Sequence, residues 1–185
     1  EYPWDGLVSL QLDVEKPQRF ALNLRQPSWC AATKLTLNGQ IVEPTPRDER
    51  GYVRIEREWK NGDAVELAME MPVQRIEAHP NIRDCVGKVA LQRGPIVYGI
   101  EALDNGGKTD LELGADPAFE AVFQRDLLGG ITVIRGKSAD GKPFVAIPFY
   151  ALANRGKSAQ EVWIRQRGIK PSSAWWASKL YRPRS

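Results

Sequence analysis

Very little in this chain could carry out chemistry on its own. Its 185 residues include one histidine, His79, and two cysteines, Cys30 and Cys85. Two cysteines so far apart are no disulfide scaffold for a chain of this length, and buried free thiols are the expectation. No apolar run approaches the ~20 residues that cross a bilayer, so no membrane partner is expected. No basic segment followed by an apolar one opens the chain, which leaves the cytoplasm as the expected compartment. Gly-rich phosphate loops are missing, and so is the Gly-x-Ser-x-Gly elbow that presents a serine nucleophile. Helical periodicity with caps is missing too.

Period-two alternation takes its place. Val8, Leu10, Leu12 and Val14 alternate with Ser9, Gln11 and Asp13, and Phe20, Leu22 and Leu24 alternate with Ala21 and Asn23. Asn38-Gly39, between Leu35-Thr36-Leu37 and Ile41-Val42, is a hairpin signal because both residues tolerate positive φ. Val53 and Ile55 share one strand face. After Asn61-Gly62-Asp63 comes the series Val65, Leu67, Met69, Met71 and Val73. Further on, Val89-Ala90-Leu91 and Ile96-Val97-Tyr98 flank Arg93-Gly94-Pro95, which predicts a strand, a bend and a strand covered on both faces, read as the seam between domains. Asp110 to Asp126, with Pro117 in it, reads as a short helix or long loop. Strands follow at Ile131–Ile134, Phe144–Tyr150 and Glu161–Ile164.

Short alternating strands with turn signals every ten residues or so predict an all-β chain. The predicted architecture is two consecutive antiparallel β-sandwich (jelly-roll-like) domains over 1–76 and 77–166. A basic tail, 167–185, could pack back on the first. Charge is uneven: from Asn154 to Ser185 there are eight Lys or Arg and one acid, +7, against −4 for the remainder. With Trp175, Trp176 and Tyr181, that end could be a nucleic-acid arm. No recognition motif supports this, and aromatics packing on the protein body explain it better, so no nucleic-acid partner is expected.

The weighed site residues each have a plainer explanation. A zinc site needs about four ligands, and Cys30, Cys85, His79 and Asp84 lack the paired spacing. Glu56 with Glu58, or Glu66 with Glu70, could act as paired carboxylates, but their strand faces look solvated. Asp104-Asn105-Gly106-Gly107-Lys108-Thr109-Asp110 has the wrong ligand spacing for calcium. Trp4, Trp59, Trp175 and Trp176 could form a sugar platform, since sugars offer C–H faces to flat rings. Cores and interfaces are the commoner place for such residues, and Trp163, inside a strand, most of all. No catalytic, cofactor or metal residue is therefore assigned to this chain.

Several stretches together resemble the C-terminal part of glycoside hydrolase family 127, the β-L-arabinofuranosidases. They are Tyr2-Pro3-Trp4-Asp5-Gly6, Leu24 to Cys30, Asn38-Gly39, Gly51-Tyr52 and Arg57 to Asp63. Gly87 to Tyr98 with Arg93-Gly94-Pro95, and Ile147 to Tyr150 through Asn154-Arg155-Gly156, complete the set. The resemblance implies an N-terminal (α/α)-barrel carrying the chemistry, followed by β-sandwich domains. It also implies a cysteine nucleophile beside zinc, with a Cys-Cys pair and a glutamate. This chain has no Cys-Cys, so catalytic residues and zinc are expected upstream of Glu1, and the opening residues read like the interior of a longer protein. The expected role is non-catalytic support of that barrel, with a homodimer surface. A plant-derived glycan is the expected substrate of the parent, and the alternative is a carbohydrate-binding module.

Overall fold

The computed structural model describes residues 2–43, 46–169 and 180–184. No α-helix occurs among them. The chain divides into two compact units, the first ending at Met71 and the second beginning at Pro72.

The described residues of the first unit build six strands: β1 (Leu7–Gln11), β2 (Gln18–Arg25), β3 (Thr33–Leu37), β4 (Gln40–Val42), β5 (Tyr52–Trp59) and β6 (Ala64–Met69). One sheet has the order β1-β6-β3-β4, and β2 pairs with β5 in a second. Both sheets send alternate side chains into one core. Leu24, Val53 and Trp59 come from the β2–β5 pair; Leu35, Val65, Leu67 and Met69 come from the other sheet. This is a sandwich, as the alternation predicts. The series that begins at Val65 leaves the strand after Met69, three residues ahead of Pro72.

Asn38 and Gly39 form the tight turn between β3 and β4, at φ 50° and 78°, the left-handed values that a two-residue hairpin requires. Asn38 does a second job. Its Nδ2 donates to Asp63 Oδ1 at 2.8 Å, and its Oδ1 accepts from the Ala64 amide at 2.8 Å. Asp63 Oδ2 accepts from the Lys60 amide at 2.9 Å. Two turns that are separate in sequence are thus tied together at one end of the sandwich.

Among the described residues, ten strands form the second unit: β7 (Val73–Ala78), β8 (Lys88–Arg93), β9 (Ile96–Glu101), β10 (Glu112–Leu113), β11 (Phe119–Gln124), β12 (Ile131–Lys137), β13 (Pro143–Pro148), β14 (Gln160–Glu161), β15 (Ile164–Gln166) and β16 (Tyr181–Pro183). They join one branched sheet. The β8–β9 hairpin turns through Gly94 (φ 55°) and Pro95. One face is fully covered, through Val89, Leu91, Tyr98 and Ile100; the other is mostly so, with Ala90 and Glu101 buried and Val97 exposed. The hairpin is therefore the centre of the second unit, not a seam. Because β7 pairs with β8, the boundary falls at Pro72, a few residues ahead of the 76/77 division drawn from sequence.

Other differences have local causes. The 110–126 stretch contains no helix but β10 and β11, with Pro117 in the segment between them. The expected strand through Glu161–Ile164 is two short strands broken at Val162-Trp163. Of the basic tail, residues 170–179 lie outside the described residues; beyond them β16 pairs with β7, and Arg182 Nε bonds Glu77 Oε1 at 2.7 Å.

Candidate functional site

The residues weighed for chemistry are scattered and already committed. Cys30 is a core residue whose thiol donates to the Ala32 carbonyl at 3.0 Å, and burial pushes that thiol up. Cys85 ends a 3-10 turn, Arg83–Cys85, where burial again raises the thiol against the pull of Lys88. His79 donates its backbone N–H to Leu180 O at 2.7 Å, and its Nδ1 accepts from the Asn81 amide at 3.2 Å. Among the described residues, no three His, Cys, Asp or Glu side chains converge to hold a metal. The donor set of a zinc–thiolate centre does not fit these residues.

The carboxylate faces are solvent faces. Glu56 pairs with Arg54 at 2.8 Å and lies 3.7 Å from Arg19, all three well exposed. Glu66 accepts from the Thr36 hydroxyl at 3.1 Å on an exposed face. Among the tryptophans, Trp59 is fully buried, with its indole N–H donating to Phe20 O at 3.0 Å and Arg57 over its ring. It is no sugar platform, because the 53, 55, 57, 59 spacing turns it into the core. Trp4 is half-buried; Trp175 and Trp176 lie outside the described residues.

One polar cluster was not anticipated. Glu101, at 0% exposure, ends the apolar strand β9. Its Oε2 accepts from Arg155, and its Oε1 accepts from the Ala153 amide at 2.8 Å. Arg155 also bonds both oxygens of Asp104, through Nη1 at 2.8 Å and through Nη2. The two carboxylates hold the proton of this guanidinium more tightly than usual, Asp104 contributing most. Asn105 continues the network, donating to Glu101 O at 2.8 Å and Val145 O at 2.9 Å and accepting from the Val145 amide. The segment that sequence reading weighed as a calcium loop is thus a staple between β9, β13 and the 149–156 loop. Its legible trace was an acid closing an apolar strand.

Clefts open on the second unit. One of about 650 Å³ is bordered by Ala118, Phe119, Arg135 and Lys137. Another, about 390 Å³, lies by the turn Ser138–Lys142. Its charges neutralise each other. Lys142 pairs with Asp140 at 2.6 Å and, with the Ser138 hydroxyl, holds that carboxyl down at about 2; Arg167 pairs with Glu112 at 2.7 Å. A third, about 260 Å³, is lined by Trp163. Carboxylates stand in the linings of the latter two, Asp110, Glu112 and Asp140 in one, and Asp110 and Glu161 in the other.

Both units match parts of known proteins. Residues 1–71 match the model described as "Beta-L-arabinofuranosidase, GH127 middle domain", and residues 73–165 match "Glycoside hydrolase family 127 C-terminal domain". A non-reducing end β-L-arabinofuranosidase of Bifidobacterium longum subsp. longum is 33% identical over 147 residues, covering 72% of this chain and 21% of that protein. The crystal structure of a GH127 β-L-arabinofuranosidase from Geobacillus stearothermophilus T6 is 42% identical with a TM-score of 0.84, over 90% of this chain and 29% of that one. A second solved structure, described as a glycoside hydrolase, is 34% identical with a TM-score of 0.80, over 89% of this chain and 31% of its own. The chain thus spans less than a third of the length of these relatives, and it belongs to glycoside hydrolase family 127.

Proposed function

We propose that this chain is the non-catalytic β-sandwich part of a longer glycosidase, in which the two units support an upstream catalytic barrel that releases L-arabinofuranose from plant-derived glycans. One observation carries this reading. The matches fall on domains described as middle and C-terminal, and they cover only 21% to 31% of each relative. The scattered, mutually neutralised charges of the clefts agree with it. Zinc and its cysteine ligands then belong to residues outside this chain, and a homodimer surface is a further role proposed for these units.

The test compares two proteins on an aryl β-L-arabinofuranoside. The longer gene product should turn it over, and the purified 185-residue chain should not. Turnover by the 185-residue chain alone would overturn the reading. A platform that includes Trp59 is not favoured, since that residue lies in the core.

A further inference from the structure

The second sheet divides at one end of its central hairpin. β8 and β9 are paired from Leu91↔Tyr98 to Arg93↔Ile96, and Lys88 and Val89 pair instead with Arg165 and Ile164 of β15. On the other arm, Ile100 pairs with Ala146 of β13 along one edge, so Glu161 of β14, which also pairs with Ile100, lies along the other. β14 is antiparallel to β9 and β15 is antiparallel to β8, so the chain must reverse between them at Val162-Trp163. Trp163 sits at that reversal. Its ring stacks on Tyr181 of β16, with centroids 5.8 Å apart and planes 27° apart.

The indole also lines the cleft of about 260 Å³. Around it stand Lys88, Thr109, Asp110, Glu161 and Arg165. Lys88 Nζ lies 3.8 Å from Glu161 Oε1, and both side chains are partly open to solvent. Three properties define what such a cleft accepts. The volume lies below the roughly 300–1,000 Å³ of drug-sized sites, which suits one small ring. Two cations against two carboxylates give no net formal charge, so neither a phosphate nor a cationic ligand gains. The rim offers donors and acceptors in equal measure beside an aromatic surface. A polyhydroxylated ring matches all three, because every hydroxyl both donates and accepts while its C–H face is apolar.

We propose that this fork cleft is a binding subsite for one neutral monosaccharide unit, with Trp163 as the packing surface and Asp110 and Glu161 as the hydroxyl acceptors. The choice of pentose below rests on the proposed function; the cleft itself does not. The subsite would hold the units of the enzyme against a glycan chain without taking part in bond cleavage.

The experiment is saturation-transfer NMR on the full 185-residue chain with L-arabinose, D-xylose and D-galactose, and inorganic phosphate as a competitor. At least one sugar should bind saturably, with a dissociation constant on the order of 1 mM. That binding should weaken at least about tenfold in Trp163→Ala and in Asp110→Ala. The second variant changes an exposed-loop residue and keeps the test valid if the first does not fold. Three results would each overturn the subsite: no saturable sugar signal, binding unchanged in Asp110→Ala, or displacement of the sugar by phosphate. The measurement does not involve turnover. A negative result leaves the glycosidase reading standing, and an inactive longer protein leaves the subsite standing.

Discussion

The two units are both all-β, yet they are held together differently. In the first, an unbroken alternation of side chains fills a single core between two sheets, and its main buried polar feature joins two neighbouring turns through Asn38 and Asp63. In the second, one branched sheet carries its core on strands mostly covered on both faces, and a buried ion cluster pins distant segments: Arg155 to Glu101 and Asp104, some fifty residues earlier. The first therefore depends on apolar burial spread over many residues. The second concentrates part of its stability in a few charges, where loss of one partner strands another.

Two substitutions should test that contrast most severely. Glu101→Gln leaves the Arg155 charge half-paired beside a buried amide and should cost the second unit about 3–5 kcal/mol. Trp59→Ala opens a cavity in the first unit and should cost about 3–5 kcal/mol there. Amide exchange measured strand by strand reads both. Each should accelerate exchange in its own unit, and a Glu101→Gln chain as stable as the parent would remove the distinction.

Gly6→Ala comes next. A Cβ on Gly6 would stand 2.0 Å from the Met69 carbonyl oxygen, and the Gly6 carbonyl accepts the Met69 amide at 2.9 Å. The backbones would have to separate, so a loss of about 1–3 kcal/mol is expected from thermal unfolding. A smaller effect should follow acidification. The Lys60 amide, with the Asn38 side chain, holds the Asp63 carboxyl below its usual value. Its folded value lies below its unfolded one, so the stabilisation is present above about pH 4 and is lost as pH falls through the folded value. Asp63→Asn should lower the thermal midpoint at pH 7, and its difference from the parent should shrink towards pH 3 and below. Smallest of all, Glu56→Gln should change stability by less than about 0.5 kcal/mol, since its partners are exposed. A larger loss would mean that this face is not simply solvated.

Legibility in sequence followed the same divide. The strands of the first unit, its hairpin at Asn38-Gly39 and its inward rows could be read directly, because period-two burial leaves its mark on consecutive residues. Trp59 was readable as well, since it continues the row of Val53 and Ile55, although an aromatic near a turn also suggests a ligand surface. In the second unit, β11 exists because β12 pairs with it, and β16 is three residues whose partner β7 lies a hundred positions earlier. Neither local pattern nor composition encodes such a pairing. Trp163 looked like a mid-strand core residue because its apolar neighbours are continuous; only the registers of β14 and β15 turn it into the tip of a reversal. The role of Arg155 was hidden for the same reason, since its carboxylates are remote in sequence.

The closing strand has a consequence for engineering. β16 lies beside β7, with Pro183 opposite Ile76 and the Arg184 amide bonded to Arg75 O at 2.7 Å, so the first and last described strands of the second unit lie on adjacent rungs. A short peptide bridging those ends, with new termini cut at the Gly106-Gly107 turn, would give a circular permutant that retains every ladder of the sheet.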